Sequence, residues 1–344
     1  MRRYKILFIF FLLLSLSVPV SAQDRDLETL ARERAHHTNP GFSNPWLATG
    51  PPGNLLRLLT WKFDSNLYAE EKKNPPTIPF VVPPLEDILK KGDSITYLGH
   101  ATLWLRIGGK NILTDPVFGD VWPFLDRKVP FPLTPSLLPV PDVVVISHSH
   151  FDHLDQDSLR LLGTKPLYLV PLGYKDWLEE VLPGVRVVEL DWFETHTASG
   201  LTFRLLPSQH WSKRTPWDTN RRLWGSWLIE GNRQKVFFGG DSGYFQGFKE
   251  YGVKYGPLDV ALLPIGAYEP RWFMKTYHMN PAEAVQAMQD LQARVIIPQH
   301  WGVFDMTHEP LDLPYRDYLS AARAAGLSVD RTPYVPHGGT WYFP

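Results

Sequence analysis

The stretch Pro141–Asp155, PDVVVISHSHFDHLD, constrains this chain more than any other. The apolar run Val143–Ile146 is short, β-branched and bounded by turn residues, so it reads as a buried strand. His148, His150, Asp152 and His153 then fall in the loop that leaves the strand. Two histidines at alternate positions can turn their rings the same way, and Asp152 and His153 follow one turn later. Four side chains of ligand type therefore converge within six residues. Imidazole nitrogen and carboxylate oxygen suit zinc and its neighbours. A polar loop with hydrogen-bonded histidines is the alternative reading, and four donors at this spacing directly after a strand argue against it.

The chain has no cysteine, which excludes a thiolate metal site, a disulfide scaffold and lipid attachment through sulfur. Any metal must be held by His, Asp or Glu. The 344 residues are 44% hydrophobic, enough for a sizeable core, and the net charge of −1 offers no field for nucleic acid. Arg2, Arg3 and Lys5, the apolar Ile6–Leu16 and the small residues of Val20–Ser21–Ala22 form an export signal over residues 1–22. The expected location is outside the cytoplasm, periplasmic or envelope-associated. The apolar run falls short of the ~20 residues that span a bilayer, and an uncleaved anchor is the alternative.

Residues 23–84 read as a polar segment followed by a Pro-rich wrapping arm, and residues 85–344 as the main domain. Leu27, Leu30 and Ala31 predict a short exposed helix or a linker, His36 and His37 read as solvated, and a short helix is expected near Leu55–Lys62. Trp46 and Trp61 read as packing against the domain. From Ser94 the pattern turns to strands: Ile95, Tyr97, Leu103, Leu105 and Ile107 alternate, with Gly108-Gly109 as a hairpin turn. Beyond the central cluster, helices (Gln156–Leu162, Tyr174–Val181) alternate with strands (Leu167–Val170, Val185–Leu190). Strands follow at Leu201–Leu205, Trp224–Glu230, Lys235–Phe238, Leu258–Leu263 and Val295–Ile297. Helices are expected at Phe245–Tyr251, Asn280–Leu291 and Asp312–Ala325, the second opened by Pro281 and the third stopped by Gly326.

Three further ligand-type residues sit just past strand ends: His210 in PSQHW, Asp241 in FFGGDSGY and His300 in IIPQHWG. Loops at strand ends are where α/β folds carry function. The order H-x-H-x-D-H, His, Asp, His resembles the metallo-β-lactamase fold superfamily. That resemblance implies a four-layer αββα sandwich with the site along one edge. It also implies two divalent metal ions, zinc first, with manganese and iron as alternatives. One ion would be held by His148, His150 and His210, the other by Asp152, His153 and His300, with Asp241 shared. Asp115, in LTDP, matches a position that orients a metal-bound histidine from behind, and His100, in LGHAT, matches a second supporting position.

More specific blocks are LGHAT (98–102), PSQHWSKR (207–214), LWGSW (223–227), PIGAYEPRWFMK (264–275) and HWG (300–302). Together they resemble the N-acylphosphatidylethanolamine-hydrolysing phospholipase D family from about Pro40 to Gly338. The export signal departs from the animal enzyme, which has none. The resemblance implies hydrolysis of a phosphodiester by a hydroxide shared between two metals ~3.5–4 Å apart, releasing N-acylethanolamine and phosphatidic acid. Asp241, Asp152 and His278 are the candidate catalytic residues. His278 would assist the leaving alkoxide, and a helix-capping histidine before Asn280 is the alternative. Arg271, Trp272, Lys213, Arg214 and Tyr268 are the candidate substrate contacts, since aromatic rings suit a membrane interface and arginine suits phosphate. The expected partner is a phospholipid at a membrane surface, with a homodimer as a further possibility. His196, His308 and His337 are expected not to be ligands. A lactonase or small phosphodiester hydrolase on the same fold is the competing enzyme reading. A non-catalytic envelope protein is opposed by the full set of ligand-type residues.

Overall fold

The computed structural model describes residues 25–48, 50, 60, 64–89, 92–121, 125–231 and 233–344. The signal-type segment 1–22, Trp61 and, apart from Thr60, the helix expected near Leu55–Lys62 lie outside the described residues. The described chain begins with α1 (Leu27–Arg32), the short ribbon β1 (His37–Thr38) and β2 (Gly41–Phe42), and α2 (Leu85–Leu89). The first sheet gathers β3 (Ser94–Gly99), β4 (Thr102–Ile107), β5 (Lys110–Thr114) and β6 (Val143–Val145). After α3 (Gln156–Leu162) and β7 (Leu167–Pro171), α4 (Lys175–Val181) leads to β8 (Arg186–Leu190). The second sheet gathers β9 (Thr195–Ala198), β10 (Leu201–Leu206), β11 (Ser226–Glu230) and β12 (Lys235–Phe238). It continues through α5 (Gly247–Tyr255), β13 (Leu258–Pro264), α6 (Arg271–Met274), α7 (Pro281–Asp290) and β14 (Ala293–Gln299). Helix α8 (Leu313–Ala324) then returns the chain to the first sheet as β15 (Thr340–Tyr342).

The first sheet runs β15-β3-β4-β5-β6-β7-β8 and the second β14-β13-β12-β11-β10-β9. Side-chain alternation explains why they stack. Val143 and Val145 join Ile95, Tyr97, Leu103 and Leu105 in a core shared with Phe203, Leu205, Trp227 and Ile229 of the opposite sheet. Val144 and Ile146 point the other way, into a second cluster with Trp104, Leu113 and Tyr168 beneath Leu159 of α3 and Leu178 of α4. On the far side, α5 and α7 contribute Phe248, Tyr251, Val285 and Met288 to the shared core, and α8 adds Tyr318. The layers are helix, sheet, sheet, helix, as the sequence resemblance implied.

The hairpin at Gly108-Gly109 forms as read: Ile107 pairs with Lys110, and both glycines hold the positive φ (58° and 76°) that a two-residue turn demands. Helix α7 carries a capping box between Asn280 and Glu283. Strands β9 and β15 are short and largely polar or half-buried, and the sequence pattern missed them. The N-terminal expectations need correction. Helix α1, capped by Asp26, is not exposed: Leu27, Leu30 and Ala31 are buried in the shared core, and the Leu27 N–H donates to Glu250 of α5. Apolar residues at i, i+3 and i+4 gave it a stripe to bury. His36 is fully buried rather than solvated, its ring stacked on Trp192, and both His36 and His37 bond the Asp191 carboxylate. Trp46 and Ile78 belong to the shared core as well, so described residues of this N-terminal segment pack into the core of the main domain. The arm does wrap: Val81 donates to the His337 carbonyl, and Lys72 bonds Asp305.

Candidate metal centre

The loops at one edge of the sandwich carry the site. Asp115 follows β5, the 147–155 loop follows β6, His210 follows β10, Asp241 follows β12 and His300 follows β14. His100 sits in the tight turn between β3 and β4. His100, Asp115 and His300 have φ of 57°, 30° and 61°. Left-handed backbone at non-glycine residues costs of order 1 kcal/mol each and clusters at functional sites.

Two groups of donors face each other. In the first, His150 Nδ1 lies 2.9 Å from His148 Nε2 and 3.2 Å from His210 Nε2. In the second, Asp152 Oδ2 lies 3.5 Å from both His153 Nε2 and His300 Nε2. Asp241 Oδ2 stands between them, 3.3 and 3.2 Å from His153 and His300 and 3.9 and 3.8 Å from His148 and His210. His278 Nδ1 is 3.9 Å from the same oxygen.

Surrounding bonds fix the tautomers. Ser147 Oγ donates to Asp115 Oδ2 at 2.5 Å, so it must accept from His148 Nδ1 at 2.9 Å. His210 Nδ1 donates to the Tyr277 carbonyl at 3.0 Å, and His153 Nδ1 to Asp115 Oδ2 at 2.7 Å. Each of these rings therefore turns its Nε2 toward the centre, where His148 and His210 present a lone pair. His100 Nε2 donates to Asp152 Oδ2 at 2.8 Å and holds that carboxylate in place.

The residues fit a divalent cation. His153 Nε2, His300 Nε2 and Asp241 Oδ1 are buried without a hydrogen-bond partner, a costly state for polar atoms facing one another. A tetrahedral ion at ~2.0–2.1 Å from its ligands would space them roughly 3.3–3.4 Å apart, close to the separations seen. The donors are all nitrogen and oxygen, a set shared by zinc, manganese and iron.

Charge follows the same logic. Burial pushes His148 and His210 well below the usual histidine range and His150 down to about 4, so their lone pairs are free at neutral pH. Burial opposes charge on Asp241 and Asp152, yet His300 and His153 hold the first, and His153 and His100 the second, well below the ordinary carboxylate range. His153 and His300 are pushed the other way. Burial opposes their charge, but Asp241 and Asp152 raise His153 well above its usual value and His300 to about 9. Protons thus balance the buried carboxylates where a dication can replace them.

The expected substrate contacts are distributed differently. The Arg271 guanidinium pairs with Glu283 at 2.7 Å and donates to the His278 carbonyl at 3.0 Å, contacts that support the loop. Arg214 donates to the carbonyls of Ser149 and Leu154 and lies over the rings of Phe151 and Trp177. Tyr268 is buried, with its hydroxyl on Asp317. Neither is presented to the centre. Lys213 is partly exposed, beside Trp211, whose ring meets that of His150 at 4.6 Å. Trp272 is 47% exposed and donates to Asp64. His196, His308 and His337 fall in none of the donor groups among the described residues. Ser147 and Gln209 were missed. Both lie beside ligand-type histidines, but nothing in a sequence shows that their side chains turn inward.

A four-layer sandwich with this donor set on one edge defines a metal-dependent hydrolase of the β-lactamase fold. The chain belongs to the metallo-β-lactamase superfamily: the β-lactamase superfamily domain matches residues 110–301. It is 36% identical over 318 residues to N-acyl-phosphatidylethanolamine-hydrolyzing phospholipase D 1 of Caenorhabditis elegans, covering 86% of this chain and 89% of the relative. An uncharacterized protein of Mycobacterium tuberculosis is 37% identical over 289 residues, covering 80% and 75%. Among solved structures, Igni18, a metallo hydrolase from Ignicoccus hospitalis, aligns with a TM-score of 0.55 at 23% identity over 73% of this chain and 99% of its own. That likeness is one of fold.

Proposed function

We propose that this protein is a binuclear phosphodiesterase of the phospholipase D type, cleaving N-acylphosphatidylethanolamine to N-acylethanolamine and phosphatidic acid. The observation that carries the reading is Asp241 Oδ2, within 3.9 Å of His148 and 3.8 Å of His210 on one side and nearer still to His153 and His300 on the other. His148, His150 and His210 would hold one ion, Asp152, His153 and His300 the second, and Asp241 would be shared. When bound, the ions supply Lewis acidity to the phosphoryl oxygens and an acidic water at neutral pH. The similarity to the nematode phospholipase D supports the substrate class.

The chain's own residues divide the remaining work. Asp241 and Asp152 stay ionised and set the negative charge of the centre. Burial holds His278 near 4, so at neutral pH it is an uncharged imidazole that offers a hydrogen bond to the departing ethanolamine oxygen. In the reaction, a water oxygen joins phosphorus, the bond from phosphorus to the ethanolamine oxygen breaks, and that oxygen takes up the proton the water gives up. Trp217, 83% exposed, and Trp272 lie on the segments after His210 and before His278, and exposed indoles there suit docking at a phospholipid surface. An exported location follows from residues 1–22.

Purified, metal-loaded protein incubated with N-acylated and with plain phosphatidylethanolamine tests this by product mass. N-acylethanolamine plus phosphatidic acid from the first lipid is expected. Turnover of a lactone with neither lipid touched would replace the proposal with the lactonase reading.

A further inference from the structure

The segment 276–278 offers three consecutive backbone carbonyls, and all three are taken by side chains from elsewhere. Thr276 accepts from Gln209 Nε2 at 2.8 Å, Tyr277 from His210 Nδ1 at 3.0 Å and His278 from Arg271 Nη1 at 3.0 Å. Gln209 is the branching point. Its backbone N–H donates to Ser242 Oγ, its carbonyl accepts the Gly243 N–H, and its side-chain oxygen accepts Trp46 Nε1 at 3.0 Å. One buried residue, through its backbone and its side chain, thus joins the His210 loop, the Asp241 loop and the His278 segment to the N-terminal arm.

The arm makes a second contact. Asn44 Nδ2 donates to the His210 carbonyl at 2.7 Å. Trp46 is fixed for its role by aromatic packing, 5.4 Å from Phe245 and 5.6 Å from Trp192 between ring centres. The arm itself is seated by α1 in the core and by the bonds of His36 and His37 to Asp191. None of Asn44, Trp46 and Gln209 contributes an atom to the donor groups. Asn44 bonds the His210 carbonyl, and Trp46 bonds Gln209, its neighbour in the chain.

We propose that Asn44, Trp46 and Gln209 are positioning residues that set His210, and through the 276–278 segment His278, so that the N-terminal arm completes the metal centre. The inference rests on His210 being a ligand, as assigned under the proposed function. Outer partners of a ligating histidine typically change metal affinity 10–100-fold when removed. The reach from residue 44 to residue 210 makes the arm such a partner.

Zinc titration of the metal-free full chain by calorimetry tests it, on Asn44→Ala, Trp46→Phe and His210→Ala beside the parent. Trp46→Phe keeps an aromatic ring in the stack and removes the N–H. Asn44→Ala alters a partly exposed side chain, so folding is preserved, and thermal melting of the metal-free proteins checks this. The expected result is that Asn44→Ala and Trp46→Phe each weaken one zinc equivalent by about tenfold or more, leave the other unchanged and melt near the parent. His210→Ala should weaken that same equivalent. Parent-like binding of both equivalents by Asn44→Ala and Trp46→Phe, or equal weakening of both together with a lowered melting temperature, overturns the positioning role. If His210→Ala keeps both equivalents, the ligand assignment fails first and the inference with it.

Discussion

Five imidazole nitrogens, from His148, His153, His210, His278 and His300, stand within 3.9 Å of the single oxygen Asp241 Oδ2. That crowding is sustainable because burial keeps His148 and His210 neutral while Asp241 keeps His153 and His300 charged, until a cation takes over. Asp241→Ala removes the oxygen between the two donor groups. We expect it to lower turnover by on the order of 10³-fold or more, the scale of losing several kcal/mol of transition-state stabilisation. His308→Ala is the matched control, eight residues past His300 and outside every donor group. Atomic absorption should find its metal content unchanged, and loss of a metal equivalent would show that the last ligand is His308.

At the scale of elements, much of this centre was legible because each ligand-type residue lies just beyond an apolar strand. The VVVI run, the PSQHW segment and the FFGGD turn all announce a strand end in local sequence. What stayed hidden is which way long side chains turn. Arg271 in EPRWF and Arg214 in SKRTP read alike as phosphate binders, but the fold turns Arg271 onto Glu283 and the His278 carbonyl a few residues on, and Arg214 onto the Ser149 and Leu154 carbonyls, which are distant in sequence. Arg271→Ala should therefore lower hydrolysis of a phospholipid and of a small soluble phosphodiester to a similar extent. A loss confined to the lipid would restore Arg271 as a substrate contact. The close approach of the Asp241 loop to the 276–278 segment is equally specific. A Cβ on Gly243 would stand 2.1 Å from the Thr276 carbonyl oxygen, so Gly243→Ala should destabilise the protein by about 1–3 kcal/mol, read from its urea midpoint.

Over the whole molecule, the start of the β1–β2 ribbon and the loop between β8 and β9 are held together by His36, His37 and Asp191. The pairing is invisible in the sequence, where 154 residues separate His37 from its acceptor. Burial lowers His36 below its ordinary value of 6.5, with Asp191 opposing. Its protonation therefore favours the unfolded chain, and the stability tied to the neutral ring is complete above pH 6.5 and falls as pH drops below it. Burial alone would raise Asp191, but His36 and His37 bring it down to about 2 from 3.8, so its share is complete above pH 3.8 and is lost as pH falls from there through about 2. His36→Gln should narrow the difference in urea midpoint between pH 7.5 and pH 5 relative to the parent, and an unchanged difference would remove His36 from the pH response.

If this edge of the sandwich delivers water to phosphorus, as proposed, the oxygen of that water must remain on the phosphorus product. Hydrolysis of N-acylphosphatidylethanolamine in ¹⁸O-labelled water by the zinc-loaded protein, with both products analysed by mass spectrometry, tests it most directly. One heavy oxygen is expected in the phosphatidic acid and none in the N-acylethanolamine, with the reaction slowed by on the order of 10³-fold or more in Asp241→Ala. Label in the N-acylethanolamine, or hydrolysis at near-parent rate without Asp241, would overturn the proposed function.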